Sequence, residues 1–172
     1  MPLMLLSRFR SNLLRGCRQY SQYAANNQIY IHEKSGSQLF DVSLSPSKSA
    51  IPMGYSKSST LVTPEEFKSN GPFVELLHKT ISEQVFDDFL FIMEAGVNDN
   101  SFMPIYDFRE VPRHGRIPEV DNILGYVQVG ADGKMIKPSY QANSMYRLCN
   151  GAGLLRLSDH LYEKVREACE QT

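Results

Sequence analysis

The sequence predicts an α+β fold, a single domain in which a mainly antiparallel sheet is packed by two longer helices. Three observations carry this prediction. Two alternating apolar runs flank a Gly-containing loop within residues 28–44, the pattern of a β-hairpin. Two separate stretches, 72–95 and 158–169, repeat apolar residues at helical spacing. Between them, residues 102–149 hold β-branched and aromatic runs punctuated by Gly, Pro and Asn, which reads as strands and turns.

Ahead of the domain lies a segment with a different composition. Residues 1–20 carry Arg8, Arg10, Arg15 and Arg18 and no acid, while Leu3, Leu5, Leu6, Phe9, Leu13 and Leu14 can line one side of a helix. An acid-free, Arg-rich amphipathic start has the composition of a mitochondrial transit peptide. Such a helix adsorbs to an anionic surface through its apolar face, and its charge is drawn toward the negative matrix side. A secretory signal would need a continuous apolar core, and here Ser7 and Arg8 interrupt the run at once. Arg18, Tyr20 and Ser21 fit an arginine-minus-three processing pattern, so the mature chain is expected to start near Ser21, with residues 21–27 polar and flexible and 28–172 forming the domain.

Within the domain, the alternation at 28–33 and 39–44 predicts two strands, and the Ser-, Pro- and Lys-rich stretch 45–61 a surface connection. Thr63, Pro64 and Glu66 have the marks of a helix start, a capping hydroxyl followed by Pro and a Glu that can close back on it. Asn70, Gly71 and Pro72 then interrupt it after about one turn. Phe73, Leu76, Leu77, Thr80, Ile81, Gln84 and Val85 open a second helix expected to reach about Ala95, kinked near Asp87 and Asp88, with Gly96 at its stop. Residues 102–108 read as extended. Residues 122–129 form a strong strand, with Ile123, Gly125, Val127 and Val129 on one face and Leu124 and Tyr126 on the other. Gly130 to Gly133 signals a hairpin turn, 134–136 a short return strand, and 144–149 a further strand. Ser158 caps a closing helix whose apolar face is Leu161, Val165, Ala168 and Cys169.

Composition excludes several classes. The 172-residue chain has 18 basic and 19 acidic side chains; without the four leading arginines, 14 basic face 19 acidic, a net charge near −5. That balance disfavours nucleic acid as a partner, because phosphate neutralisation supplies most of such affinity. Cys149 and Cys169 are far apart, and His32, His78, His114 and His160 show no ligand spacing, so no metal or other cofactor is expected. No apolar run reaches the ~18 residues of a spanning helix, so no transmembrane segment is expected and a soluble matrix protein is.

No catalytic signature appears. The best candidate for a site is the charged loop with Arg109, Arg113, His114 and Arg116, flanked by Asp107, Glu110 and Glu119, to which Arg147 could add a fourth guanidinium. Guanidiniums so close together suit bidentate binding of a carboxylate or phosphate, with His114 as proton donor or acceptor. The competing reading pairs those arginines with the neighbouring acids as ordinary ion pairs. Gly151 and Gly153 lack the third glycine of a phosphate-cradling loop and read as a turn. Asp87 and Asp88 are adjacent on a helix and do not face each other. Cys149 with His114 as base is a nucleophile candidate, but a mid-strand Cys is more often a small core residue. Tyr126, Tyr140 and Tyr146 with Arg147 could make an aromatic-cationic surface, although strand tyrosines ordinarily pack half-buried.

Asp107-Phe-Arg109, Gly115-Arg-Ile-Pro-Glu119, Ile123-Leu-Gly-Tyr-Val-Gln-Val129, Tyr146-Arg-Leu148 and Leu157-Ser158 resemble a pattern of small uncharacterised fungal mitochondrial proteins. Ile29-Tyr-Ile-His32 and Ala50-Ile-Pro-Met-Gly54 fit the same pattern. The resemblance implies a single mitochondrial domain and transfers no activity, ligand or catalytic residue. Two functions are therefore carried forward. The first is a non-catalytic accessory subunit or assembly factor that binds another mitochondrial protein or complex, which predicts an exposed apolar patch. The second is a binder or enzyme for a small anionic metabolite, which predicts Arg109, Arg113, Arg116 and Arg147 converging on a pocket with His114 at its edge.

Overall fold

A computed structural model describes residues 20–34, 36–98, 101–110 and 117–172. The fold is the expected α+β single domain, with antiparallel strands in more than one sheet. Residues 1–19, whose composition reads as a transit peptide and which include Arg18, lie outside the described residues.

Five short strands form an antiparallel meander: β1 (Tyr20–Gln22), β2 (Tyr30–Glu33), β3 (Phe40–Ser43), β4 (Gly54–Ser56) and β5 (Lys68–Ser69). The β2–β3 hairpin is the predicted one, and its register pairs Ile31 with Val42, both turned to the core. Its neighbours differ from expectation. Residues 21–27 do not fray: Tyr20 pairs with His32 and Gln22 with Tyr30, and Tyr23 and Asn26 are buried. Strand β4 lies inside the stretch read as a connection. It is only three residues long, too short for alternation to show. Gly54 is required there, because a Cβ would stand 2.4 Å from the Phe67 ring and 2.5 Å from the Lys68 carbonyl. The Thr63 helix start makes one turn, with the Phe67 amide donating to the Thr63 carbonyl, before the chain enters β5.

The long helix is broken where the sequence kinks it. Helix α1 (Gly71–Gln84) buries Phe73, Leu77, Thr80 and Ile81 and packs on the closing helix; a 3₁₀ turn, Val85–Asp87, follows. Asp88 is extended, its carboxylate accepts from the Leu90 amide at 3.0 Å, and α2 (Phe89–Ala95) begins. A short polar side chain that captures a backbone N–H caps a new helix and so ends the old one.

The second sheet has three strands, β6 (Phe102–Tyr106), β7 (Ile123–Gln128) and β8 (Gln141–Ala142), with β7 central. Ile123, Leu124 and Val127 are all buried, so both faces of β7 are covered. The expected return strand at 134–136 is reduced to a single bridge, Val129 to Met135. The strand expected at 144–149 does not form. Asn143 captures that segment instead: its side chain accepts from the Met145 amide and donates to the Val120 and Ile123 carbonyls, offering the backbone a turn in place of a ladder. Pairing resumes only in the small hairpin of β9 (Cys149–Asn150) and β10 (Gly153–Leu154). The closing helix α3 (Asp159–Gln171) starts as predicted, with the Ser158 hydroxyl accepting from the Leu161 amide at 3.2 Å. One apolar core, with Ile29, Leu44, Phe73, Phe91, Ile105, Leu124 and Leu161 among its members, draws on both larger sheets and on α1, α2 and α3.

Candidate functional site

Of the charged-loop candidates, Arg113, His114 and Arg116 lie outside the described residues. Arg109 and Arg147 are described, and they behave differently.

Arg109 follows β6 and turns inward. Its side chain and that of Asp107 are 2% and 0% exposed, and the guanidinium meets one carboxylate oxygen through Nε at 2.7 Å and through a terminal nitrogen at 2.6 Å. Its remaining donors reach the Gly153 carbonyl at 2.9 Å and the Arg147 carbonyl. The Tyr146 hydroxyl donates to the same Asp107 oxygen at 2.9 Å, and the guanidinium stands 5.5 Å from the Tyr146 ring centroid. Burial pushes the Asp107 carboxyl above its usual range, while Arg109 and the Tyr146 hydroxyl pull it back. Every polar group here is spent on the protein itself. Arg109 therefore ties β6 to the β9–β10 hairpin and is not free to receive a ligand.

Arg147 is exposed, and its side chain makes no hydrogen bond or ion pair among the described residues; only its backbone is used, the amide donating to the Asp121 carbonyl. It lines a cleft of about 380 Å³ with Ser69, Val74, His78, Asn143 and Tyr146. His78, on α1, stands in the sequence only as one of four scattered histidines. Its Nδ1 lies 2.9 Å from the Tyr140 hydroxyl, which itself donates to the Leu124 carbonyl at 3.0 Å. The His78 ring meets that of Tyr146 edge-on at 6.4 Å. Burial lowers the imidazole pKa, so the ring is neutral near pH 7, and burial raises the Tyr140 phenol. Topology alone brings the helix histidine to the tyrosines after β7; no local spacing could have signalled it.

The remaining candidates resolve into structural roles. Asp88 is buried as the cap of α2 and accepts from the Ser158 hydroxyl, whereas Asp87 is exposed and 3.5 Å from Lys137. The glycine turn joins β9 to β10, with Gly153 at φ 114. Cys149 is buried and its thiol pKa is raised by burial, which suppresses the thiolate that nucleophilic attack would need. Among the described residues no three His, Cys, Asp or Glu side chains gather as metal ligands, and no helix is long and apolar enough to cross a membrane.

A different surface stands out around α2. Phe89 is 69% exposed, Leu90 52%, Met93 60% and Val97 80%, with Ile92 also exposed, while Phe91 and Ala95 on the opposite side are buried. The Tyr106 hydroxyl donates to Glu94 and the Ser101 hydroxyl to the Asn98 carbonyl, which ties α2 and the turn after it to β6, whose first residue, Phe102, is also exposed. At the N-terminal end of α2, Leu90 lines a cleft of about 660 Å³ together with Tyr30, Phe108, Arg156, Tyr162 and Arg166. No protein-family model matches the chain, and none of the curated proteins or solved structures matches it.

Proposed function

We propose that this protein is a non-catalytic mitochondrial accessory subunit or assembly factor that docks a partner protein on the α2 surface. The observation that carries the reading is the exposure of Phe89, Leu90, Ile92, Met93 and Val97 on and just after α2, with Phe102 also exposed. A seven-residue helix that buries only Phe91 and Ala95 leaves most of its apolar area in water. Covering that area is favourable by roughly 25 cal/mol for each Å², and contiguous exposed apolar patches mark partner sites. The partner segment is apolar against α2 and carries a carboxylate for Arg156, an exposed cation whose side chain has no ion-pair partner among the described residues. The acid-free, arginine-rich start supports delivery to the matrix, with removal near Ser21.

Native electrophoresis of the protein from mild mitochondrial extracts tests the docking. Wild type is expected in a large assembly, and Leu90→Glu/Met93→Glu as a monomer with an unchanged unfolding midpoint. A wild-type protein that migrates alone sinks the reading. N-terminal sequencing of the matrix form is expected to begin near Ser21, and a start at Met1 or Pro2 removes the mitochondrial assignment.

A further inference from the structure

The cleft between α1 and the turn that Asn143 builds is separate from the α2 surface and has its own chemistry. The Tyr140 hydroxyl has one proton, and it goes to the Leu124 carbonyl, since two bare oxygens would not rest 3.0 Å apart. Tyr140 must then accept from His78, so Nδ1 of His78 carries the hydrogen. The other ring nitrogen is left as a bare lone pair. Nε2 has no partner among the described residues and is not buried, and His78 lines the cleft, so Nε2 is the ring nitrogen left to serve a ligand there. Arg147 supplies an unpaired guanidinium to the same cleft.

We propose that this cleft binds a small organic oxyanion bearing a hydroxyl group, the anion on Arg147 and the hydroxyl donating its proton to Nε2 of His78. A neutral imidazole with a fixed tautomer accepts such a hydrogen bond without giving up a proton of its own, and a guanidinium grips carboxylate or phosphate oxygens in a fork. The volume of about 380 Å³ suits a ligand of a few carbons. The Tyr146 hydroxyl is engaged by Asp107, which leaves its ring edge as a wall and not as a competing donor.

Nitrogen-15 spectra of histidine-labelled full-length protein test both halves. At pH 7 His78 is expected as the Nδ1–H form with unprotonated Nε2; an Nε2–H form overturns the proposal. Titration with glycerate and with glycerol 3-phosphate should move the Nε2 resonance, and a response to only one of them identifies the oxyanion as carboxylate or phosphate. Propionate, which lacks the hydroxyl, should bind about tenfold more weakly than glycerate, the worth of roughly one hydrogen bond. Equal affinity for propionate, or no response at about 10 mM, well above a millimolar Kd, refutes it. Arg147→Gln, an exposed change, should weaken both hydroxylated anions about tenfold; His78→Phe should abolish the preference for glycerate over propionate. Should His78→Phe not fold, the wild-type resonance and Arg147→Gln still decide.

Discussion

Two guanidiniums that the sequence groups into one cluster end in opposite surroundings. Arg109 is sealed against Asp107, while the side chain of Arg147, whose carbonyl Arg109 itself binds, stays in water, and only the hydrogen-bond partners tell the two guanidiniums apart. The difference has an energetic consequence. Removing one member of a buried pair strands the other charge, a cost of about 3–5 kcal/mol, far above the worth of an exposed pair. Asp107→Ala is therefore expected to lower stability by about 3–5 kcal/mol in urea unfolding, and Arg147→Ala by less than ~0.5 kcal/mol. Comparable losses would mean that Asp107 and Arg109 are not sealed from solvent. His78 supplies a second residue-scale prediction. Its folded pKa lies below the free value of about 6.5, so the unfolded chain binds more protons as pH falls through that value. The stability contributed by the neutral ring is fully present above pH ~6.5 and is lost as pH falls toward the folded pKa. Urea midpoints between pH 7.5 and 5.5 should fall, and the slope should be shallower in His78→Phe; an identical slope in that variant would assign the effect elsewhere.

At the scale of elements, periodicity was legible where an element was long and absent where it was short. Helices α1 and α3, the break at Asp88 and strand β7 follow from apolar spacing, caps and β-branched runs. Strands β1, β4, β5 and β8 have two or three residues each, and no alternation can be read over so few positions. They exist because neighbouring strands supply their hydrogen bonds, which is tertiary information. Asn143 shows the converse: a good local strand pattern at 144–149 lost to one side chain that binds three backbone groups. Gly125 records the tight fit of β7 to β8 and to the His78 site, since a Cβ there would sit 2.4 Å from the Gln141 carbonyl oxygen and 2.6 Å from the Tyr140 ring. Gly125→Ala is expected to cost about 1–3 kcal/mol and to shift the His78 ring resonances as Tyr140 is displaced. Unchanged stability and resonances would show that β8 gives way freely.

Across the whole molecule, the two larger sheets are separate in hydrogen bonding and share one core, so something must fix the N-terminal meander against the C-terminal segment. The carboxamide of Gln28 does this as a short piece of strand would: its nitrogen donates to the Leu157 carbonyl at 2.9 Å and its oxygen accepts from the Leu157 amide at 2.9 Å. Asn26 adds a bond to the Leu155 carbonyl at 2.9 Å and accepts from the Gln28 amide at 3.1 Å, all of it buried. Asn26 lies in the polar stretch before the first alternating run, which looks like a frayed end in sequence because nothing local marks a side chain that will pair with backbone 129 residues away. The candidate site was half hidden for the same reason: Tyr140, Tyr146 and Arg147 lie close enough in sequence to be grouped, but His78 shares no local pattern with them, and only the packing of α1 against the residues after β7 brings it in. A buried donor or acceptor left unpaired costs about 1–3 kcal/mol. Gln28→Leu keeps the volume roughly constant and strands both Leu157 groups, so it should destabilise the protein by about 2–5 kcal/mol. Because one core links the sheets, the loss should appear as a single earlier transition with far- and near-ultraviolet dichroism falling together. A variant in which the two signals separate, or in which the midpoint does not move, would show that the meander holds its place without this clamp.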